Sequence, residues 1–93
     1  MGVQIDPHTL ERALERGASL AEIEDVLATG TETAARGGRL ARVKVFDFAS
    51  MRAGKFYEQK RVQVIYVMDG ERAVTVTVYV FYGTWAAEDA HPL

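Results

Sequence analysis

Ninety-three residues can bury one hydrophobic core and are too few for two, so a multi-domain architecture is excluded. An apolar share of 48% beside a charged share of 26% excludes a disordered chain, and the lack of cysteine excludes both a disulfide framework and a thiolate metal site. The net charge of −2 at pH 7 runs against a nucleic-acid binder that relies on overall basicity, since phosphate neutralisation supplies most of that affinity.

The opening MGVQIDPH carries neither the basic nor the apolar segment of a signal peptide. Asp6 stands where a myristoylation signal would have Ser or Thr. Residues 74–82 are the longest apolar stretch, but threonines interrupt them and they are too short to span a bilayer. The expected setting is a reducing cytoplasm with no membrane partner.

Asp6-Pro7 opens the first helix, over residues 8–16. The Asp carboxylate can cap free amides, and Pro suits the first helical position, where its missing N–H would have no partner. Leu10, Ala13 and Leu14 make an i, i+3, i+4 face, and Gly17 supplies a left-handed stop. Ser19 and Glu22 form a capping box for a second helix over 19–28, with Leu20, Ile23, Val26 and Leu27 as its apolar stripe and Gly30 at its end. Neither helix is long enough to be stable alone, so both must dock on an apolar surface.

From Thr31 the period changes to two. Residues 31–36 read as a weak strand ending at Gly37-Gly38, followed by a strand over 40–48, a loop over 49–54, and strands over 57–68 and 72–82. A three-residue turn, Met68-Asp69-Gly70, would pair Val64 with Val74 and Val62 with Val76. That register gathers Val62, Val64, Tyr66, Val74, Val76, Val78 and Val80 on one face, and burial of that set fixes it. Residues 1–85 are therefore read as a single α+β domain: a two-helix hairpin on one face of a three- to four-stranded antiparallel sheet. Whether 31–36 joins the sheet stays open. Residues 86–93 are read as an acidic tail that frays. The expected core is Leu10, Leu14, Ile23, Leu27, Val43, Val45, Val62, Val64, Val74, Val76 and Val78.

With the helices on the valine face, the second face would hold Arg42, Lys44, Phe46, Arg61, Gln63, Ile65, Thr75, Thr77, Tyr79 and Phe81. Cations, hydroxyls and rings together suit a polyanion, with charges on phosphates and rings on bases. They equally suit an ordinary wet sheet face, or a dimer contact anchored by the rings. The span from Arg36 to Arg61 favours a positive patch, setting Arg39, Arg42, Lys44, Arg52, Lys55 and Lys60 against Asp47 and Glu58. On this reading Arg42, Lys44 and Arg61 converge, and replacing Arg42 and Arg61 with alanine hardly changes stability.

His8, Arg12 and Arg16 share roughly one helix face, as an acid/base group with phosphate-binding neighbours would, or as a solvated face with Glu11 and Glu15 would. Lys55, Tyr57, Lys60 and Arg61 cluster at the start of a strand, either as a binding patch or as edge protection. His8 and His91 have no metal-ligand spacing, so neither a metal nor a cofactor is expected. There is no nucleophile elbow, P-loop or dinucleotide fingerprint.

Several stretches carry a resemblance. His8-Thr9-Leu10-Glu11-Arg12, Glu15-Arg16-Gly17-Ala18-Ser19, Glu22-Ile23-Glu24 with Leu27, and the late Val74-Thr75-Val76-Thr77-Val78-Tyr79 resemble a family of small bacterial domains of unknown function. That family is grouped with the RelE/ParE-type toxins, and the likeness spans roughly residues 5–83. It implies two helices followed by an antiparallel sheet. It also implies either metal-independent RNA cleavage or binding to an antitoxin-like partner. As the resemblance maps them, the catalytic residues would be His8, Arg12, Arg16, Thr77 and Tyr79; by the reading of the sheet face and the basic cluster above, Arg42, Lys44, Phe46, Lys60, Arg61 and Phe81 would bind RNA or a partner. The toxins tend to be strongly basic and this chain is not. The leading expectation is therefore a protein-interaction module, a homodimer or partner-binding domain working through the sheet, with the ribonuclease as the alternative.

Overall fold

The computed structural model describes residues 2–85. In chain order the elements are β1 (Gly2–Gln4), α1 (Pro7–Arg16), α2 (Leu20–Thr29), β2 (Thr31–Thr33), β3 (Leu40–Arg52), β4 (Lys55–Asp69) and β5 (Arg72–Gly83). The five strands form one sheet in the order β1-β5-β4-β3-β2.

The helix boundaries follow from their caps. Asp6 accepts hydrogen bonds from the amides of His8 (2.9 Å) and Thr9 (3.4 Å), and Pro7 takes the first turn. Gly17 ends α1 at φ 97°, and the Tyr82 hydroxyl occupies the space that a Cβ there would need. Only glycine satisfies both conditions. The Ser19–Glu22 box closes reciprocally, at 3.1 Å and 2.9 Å.

The sheet departs from expectation in strand count and direction. It is mixed rather than purely antiparallel, because β1 runs parallel to β5, pairing Gly2 with Arg72 and Gln4 with Val74. A three-residue exposed strand has no alternation for sequence reasoning to detect. The weak strand 31–36 is real but shorter, and pairs with β3 between Val43 and Ala41.

The expected loop at 49–54 is mostly strand. A bulge between Asp47 and Ser50, with Ala49 at φ 43°, absorbs one residue. β3 and β4 then pair up to Arg52 and Lys55. Ala53 and Gly54 turn the chain with φ 51° and 81°, the positive pair of a type I′ turn.

The predicted β4–β5 register is also corrected. Asp69 faces Arg72 across a two-residue turn, with Gly70 at φ 63° in the first central position, as a type II′ turn requires. A second bulge, between Ile65 and Tyr66, leaves Val76 without an opposite residue, so Val64 meets Val78 and Val62 meets Val80. Val74 and Val76 thus leave the valine face and are only half-buried.

Both helices pack on one side of the sheet. The core there is Ala13, Ala18, Ile23, Val26, Leu27, Val62, Val64, Tyr66, Ala73 and Val78, with Ile5, Leu10, Phe46 and Val80 at its margin. Leu14, expected inside, is 58% exposed. α1 instead turns Thr9 and Ala13 inward, because the outer edge of β5 needs donors. The Thr9 hydroxyl donates to the Val76 carbonyl (3.3 Å) and Arg16 to the Val78 carbonyl (2.6 Å). An unpaired strand edge is satisfied in this way by a helix.

Candidate functional site

The predicted face assignment fails on β3. Arg42, Lys44 and Phe46 lie on the helix side, and Ala41, Val43 and Val45 lie on the other. Arg42 donates to the Leu27 carbonyl (3.2 Å), the Tyr66 hydroxyl (3.3 Å) and Glu32 (3.4 Å). Lys44 reaches Asp25 and Thr29, each at 2.8 Å, and its ammonium sits 5.6 Å from the Phe46 ring. Lys60 is 8% exposed and donates to the Gly17 carbonyl (2.7 Å) and to Glu22 (2.8 Å).

A common cause explains these placements. The last carbonyls of a helix have no intrahelical donor and carry the negative end of its dipole. α2 ends over β3, where Arg42 serves Leu27. α1 ends over the Phe48–Tyr82 region, where Lys60 serves Gly17, Tyr82 serves Arg16 (2.6 Å) and Arg52 serves Glu15 (3.1 Å). The Arg52 guanidinium lies 4.7 Å from the Tyr82 ring, which also packs on Phe48 and Tyr57 at 5.1 and 5.5 Å. Sequence reasoning missed this Tyr82 clasp; the only signal was Gly17 itself.

The same side holds the perturbed titrating groups. Burial alone would raise the Glu22 carboxyl, but the hydrogen bonds from Lys60 and the Ser19 amide, with the Lys60 charge, hold it below its usual value. The Lys44 hydrogen bond, then that of Thr29, holds Asp25 low. Burial pushes the Tyr82 phenol up.

The opposite face is built of three aligned rows across β3, β4 and β5: Val45–Arg61–Phe81, Val43–Gln63–Tyr79 and Ala41–Ile65–Thr77. Among the described residues no helix covers them, yet Ala41 and Val43 (each 1% exposed) and Ile65 are buried there, so the open part of the face lies towards β5. Tyr79 and Phe81 are each 45% exposed, with ring centroids 6.4 Å apart. Gly83 continues their line without a side chain, and a Cβ there would lie 3.4 Å from the Trp85 ring, which fills the place. The Trp85 amide donates to Gln59 at 2.6 Å, fixing the chain there. Tyr79, Phe81 and Trp85 thus form one aromatic ladder. Beside it Arg61 is half-buried, and its Nε is buried without a hydrogen-bond partner among the described residues. Ala35, Arg36 and Arg39, from the β2–β3 connection, border a shallow cleft with Ile65, Thr77 and Tyr79.

The five residues expected to be catalytic separate into two groups. His8, Arg12 and Thr77 line one open cleft between α1 and the edge of β5, together with Asp6 and Thr75. Arg16 is committed to the Val78 carbonyl, and its guanidinium lies 5.6 Å from the Tyr79 ring. Of the six residues expected to bind RNA or a partner, only Arg61 and Phe81 reach the open face. Thr75, also expected there, is buried on the helix side and accepts a hydrogen bond from the Asp6 amide. His91 and the tail 86–93 lie outside the described residues.

Among the described residues no cluster of three or more His, Cys, Asp or Glu could hold a metal ion, and no helix is long and apolar enough to cross a membrane. No family model matches the chain, and no curated protein or solved structure matches it.

Proposed function

We propose that this chain is a protein-interaction module whose contact surface is the sheet face away from the helices. The observation that carries this reading is the exposed pair Tyr79 and Phe81, continued by the half-buried Trp85, beside the half-buried Arg61. Tyr, Trp and Arg are the residues that anchor protein interfaces, because they combine large apolar area with a polar handle. The expected polyanion patch lacks its cations: Arg42, Lys44 and Lys60 are spent on the helix ends. A second copy or an antitoxin-like partner would use the same rows. Hydroxyl-radical footprinting tests this. Tyr79, Phe81 and Trp85 should oxidise readily in the dilute purified chain and be protected several-fold inside the cells that produce it. Equal oxidation in both settings would sink the reading.

A second reading is supported by the cleft that His8, Arg12 and Thr77 share. In a metal-independent ribonuclease, His8 would move protons to and from the 2′-hydroxyl and the leaving oxygen while Arg12 stabilises the phosphate. RNA cleavage that persists in chelator and vanishes in His8→Ala is its signature.

A further inference from the structure

We infer that the partner of this face is an acidic protein segment, which delivers a carboxylate to Arg61 while its apolar side chains lie along Tyr79 and Phe81. The inference rests on the interaction reading above and names the chemistry of the partner.

Arg61 stands directly between Val45 and Phe81 in the register of the sheet. Its Nε is removed from solvent and finds no acceptor among the described residues. A buried donor without an acceptor is unfavourable, and the penalty disappears when an incoming acceptor meets it. Guanidinium and carboxylate match as forks, with two parallel N–H···O bonds, so a carboxylate towards which the Arg61 guanidinium turns outward relieves both Nε and a terminal nitrogen at once.

The surroundings agree in sign. Arg36 and Arg39 border the same face through the cleft they share with Thr77 and Tyr79. The nearest acidic residue on these strands is Asp47, one row beyond Arg61 and opposite Gln59. Glu11, Glu15, Glu22, Glu24 and Asp25 all belong to the two helices, on the far side of the sheet. A face with guanidinium groups at its centre and border, in a chain of net charge −2, attracts a local acidic segment rather than a long polyanion. A long polyanion requires a continuous row of cations for counterion release, and Arg42, Lys44 and Lys60 point the other way.

Fluorescence anisotropy with the full chain tests the inference, using a short labelled peptide of alternating Glu and Leu, the same peptide with Gln for Glu, and a single-stranded RNA of equal length. The Glu peptide should bind roughly tenfold more tightly than the Gln peptide, the difference expected of a charge-assisted hydrogen bond. Arg61→Gln should remove that difference while its circular dichroism and urea midpoint stay those of the parent. Equal affinity for both peptides, weakened by Phe81→Ala, overturns the carboxylate and leaves the interaction surface standing. Binding of the RNA in place of either peptide overturns the carboxylate and the interaction reading together. Failure of all three probes overturns the carboxylate, and the footprinting above then decides the surface separately.

Discussion

The two faces of the sheet treat the same residue type in opposite ways. On the helix side Arg42 and Lys60 each close the carbonyls of a helix end, and Lys44 is held by the Asp25 carboxylate and the Thr29 hydroxyl of α2. On the open side Arg61 is nearly as enclosed, yet its Nε has no acceptor among the described residues. A cation over a helix C-terminus is architecture, whereas one set between Val45 and Phe81 with an unmet donor is, on the inference above, a receptor. Residue type alone does not distinguish them; what lies opposite does.

The largest test of this contrast removes apolar bulk from each face. Leu27→Ala, at a side chain with 0% exposure, should cost about 2–5 kcal/mol in urea unfolding. Phe81→Ala, on the open face, should cost about 1 kcal/mol or less. Comparable losses would mean that Phe81 belongs with the buried Ala41, Val43 and Ile65 rather than to a contact surface.

Lys60→Ala should cost about 2–3 kcal/mol, because it strands Glu22 and the Gly17 carbonyl. The Lys60–Glu22 and Lys44–Asp25 pairs set an acid response. Glu22 and Asp25 have folded pKa values below their ordinary ones, so their contribution is complete above the unfolded carboxylate range. It is lost as pH falls below the unfolded carboxylate range and through the lower folded values. Urea midpoints between pH 7 and 3 should fall in the parent and fall less in Lys60→Ala.

Arg42→Ala should cost about 1–2 kcal/mol, since three acceptors lose their donor. This reverses the expectation, drawn from sequence, that replacing Arg42 would leave stability untouched. Arg61→Met should stay within about 0.5 kcal/mol of the parent or exceed it, because it removes an unsatisfied donor and keeps the apolar stem. If Arg61→Met proved as damaging as Arg42→Ala, the distinction between the two faces would collapse.

What could be read from the sequence was local. Asp6-Pro7, Gly17 and the Ser19–Glu22 box each act within one helical turn, and each was found where its chemistry placed it. The positions of Arg61, Thr77, Tyr79 and Phe81 on a shared face were also legible, since β4 and β5 alternate regularly there. The side that β3 presents was not. Alternation shows that Arg42 and Lys44 oppose Val43, but not that a helix C-terminus lies above the cations. The bulges at Asp47–Ser50 and Ile65–Tyr66 were hidden as well, because each inserts a residue that looks like any other strand position. Val76→Ala, expected from sequence to cost about 1–3 kcal/mol, should now fall at or below the bottom of that range, since the bulge leaves Val76 half-buried.

The place of β1 has a bearing on how the chain is made. Gly2–Gln4 pairs only with Arg72–Val74, about seventy residues later, whereas β3, β4 and β5 close on their neighbours through two-residue turns. Loop-closure entropy therefore favours the central meander first and the ends last. On a ribosome the first strand emerges early and waits, with nothing to pair with, until the last strand appears. The helix that follows it waits too, since the carbonyls that Thr9 and Arg16 close belong to Val76 and Val78. Nearly the whole sequence must be translated before its beginning has a place to go.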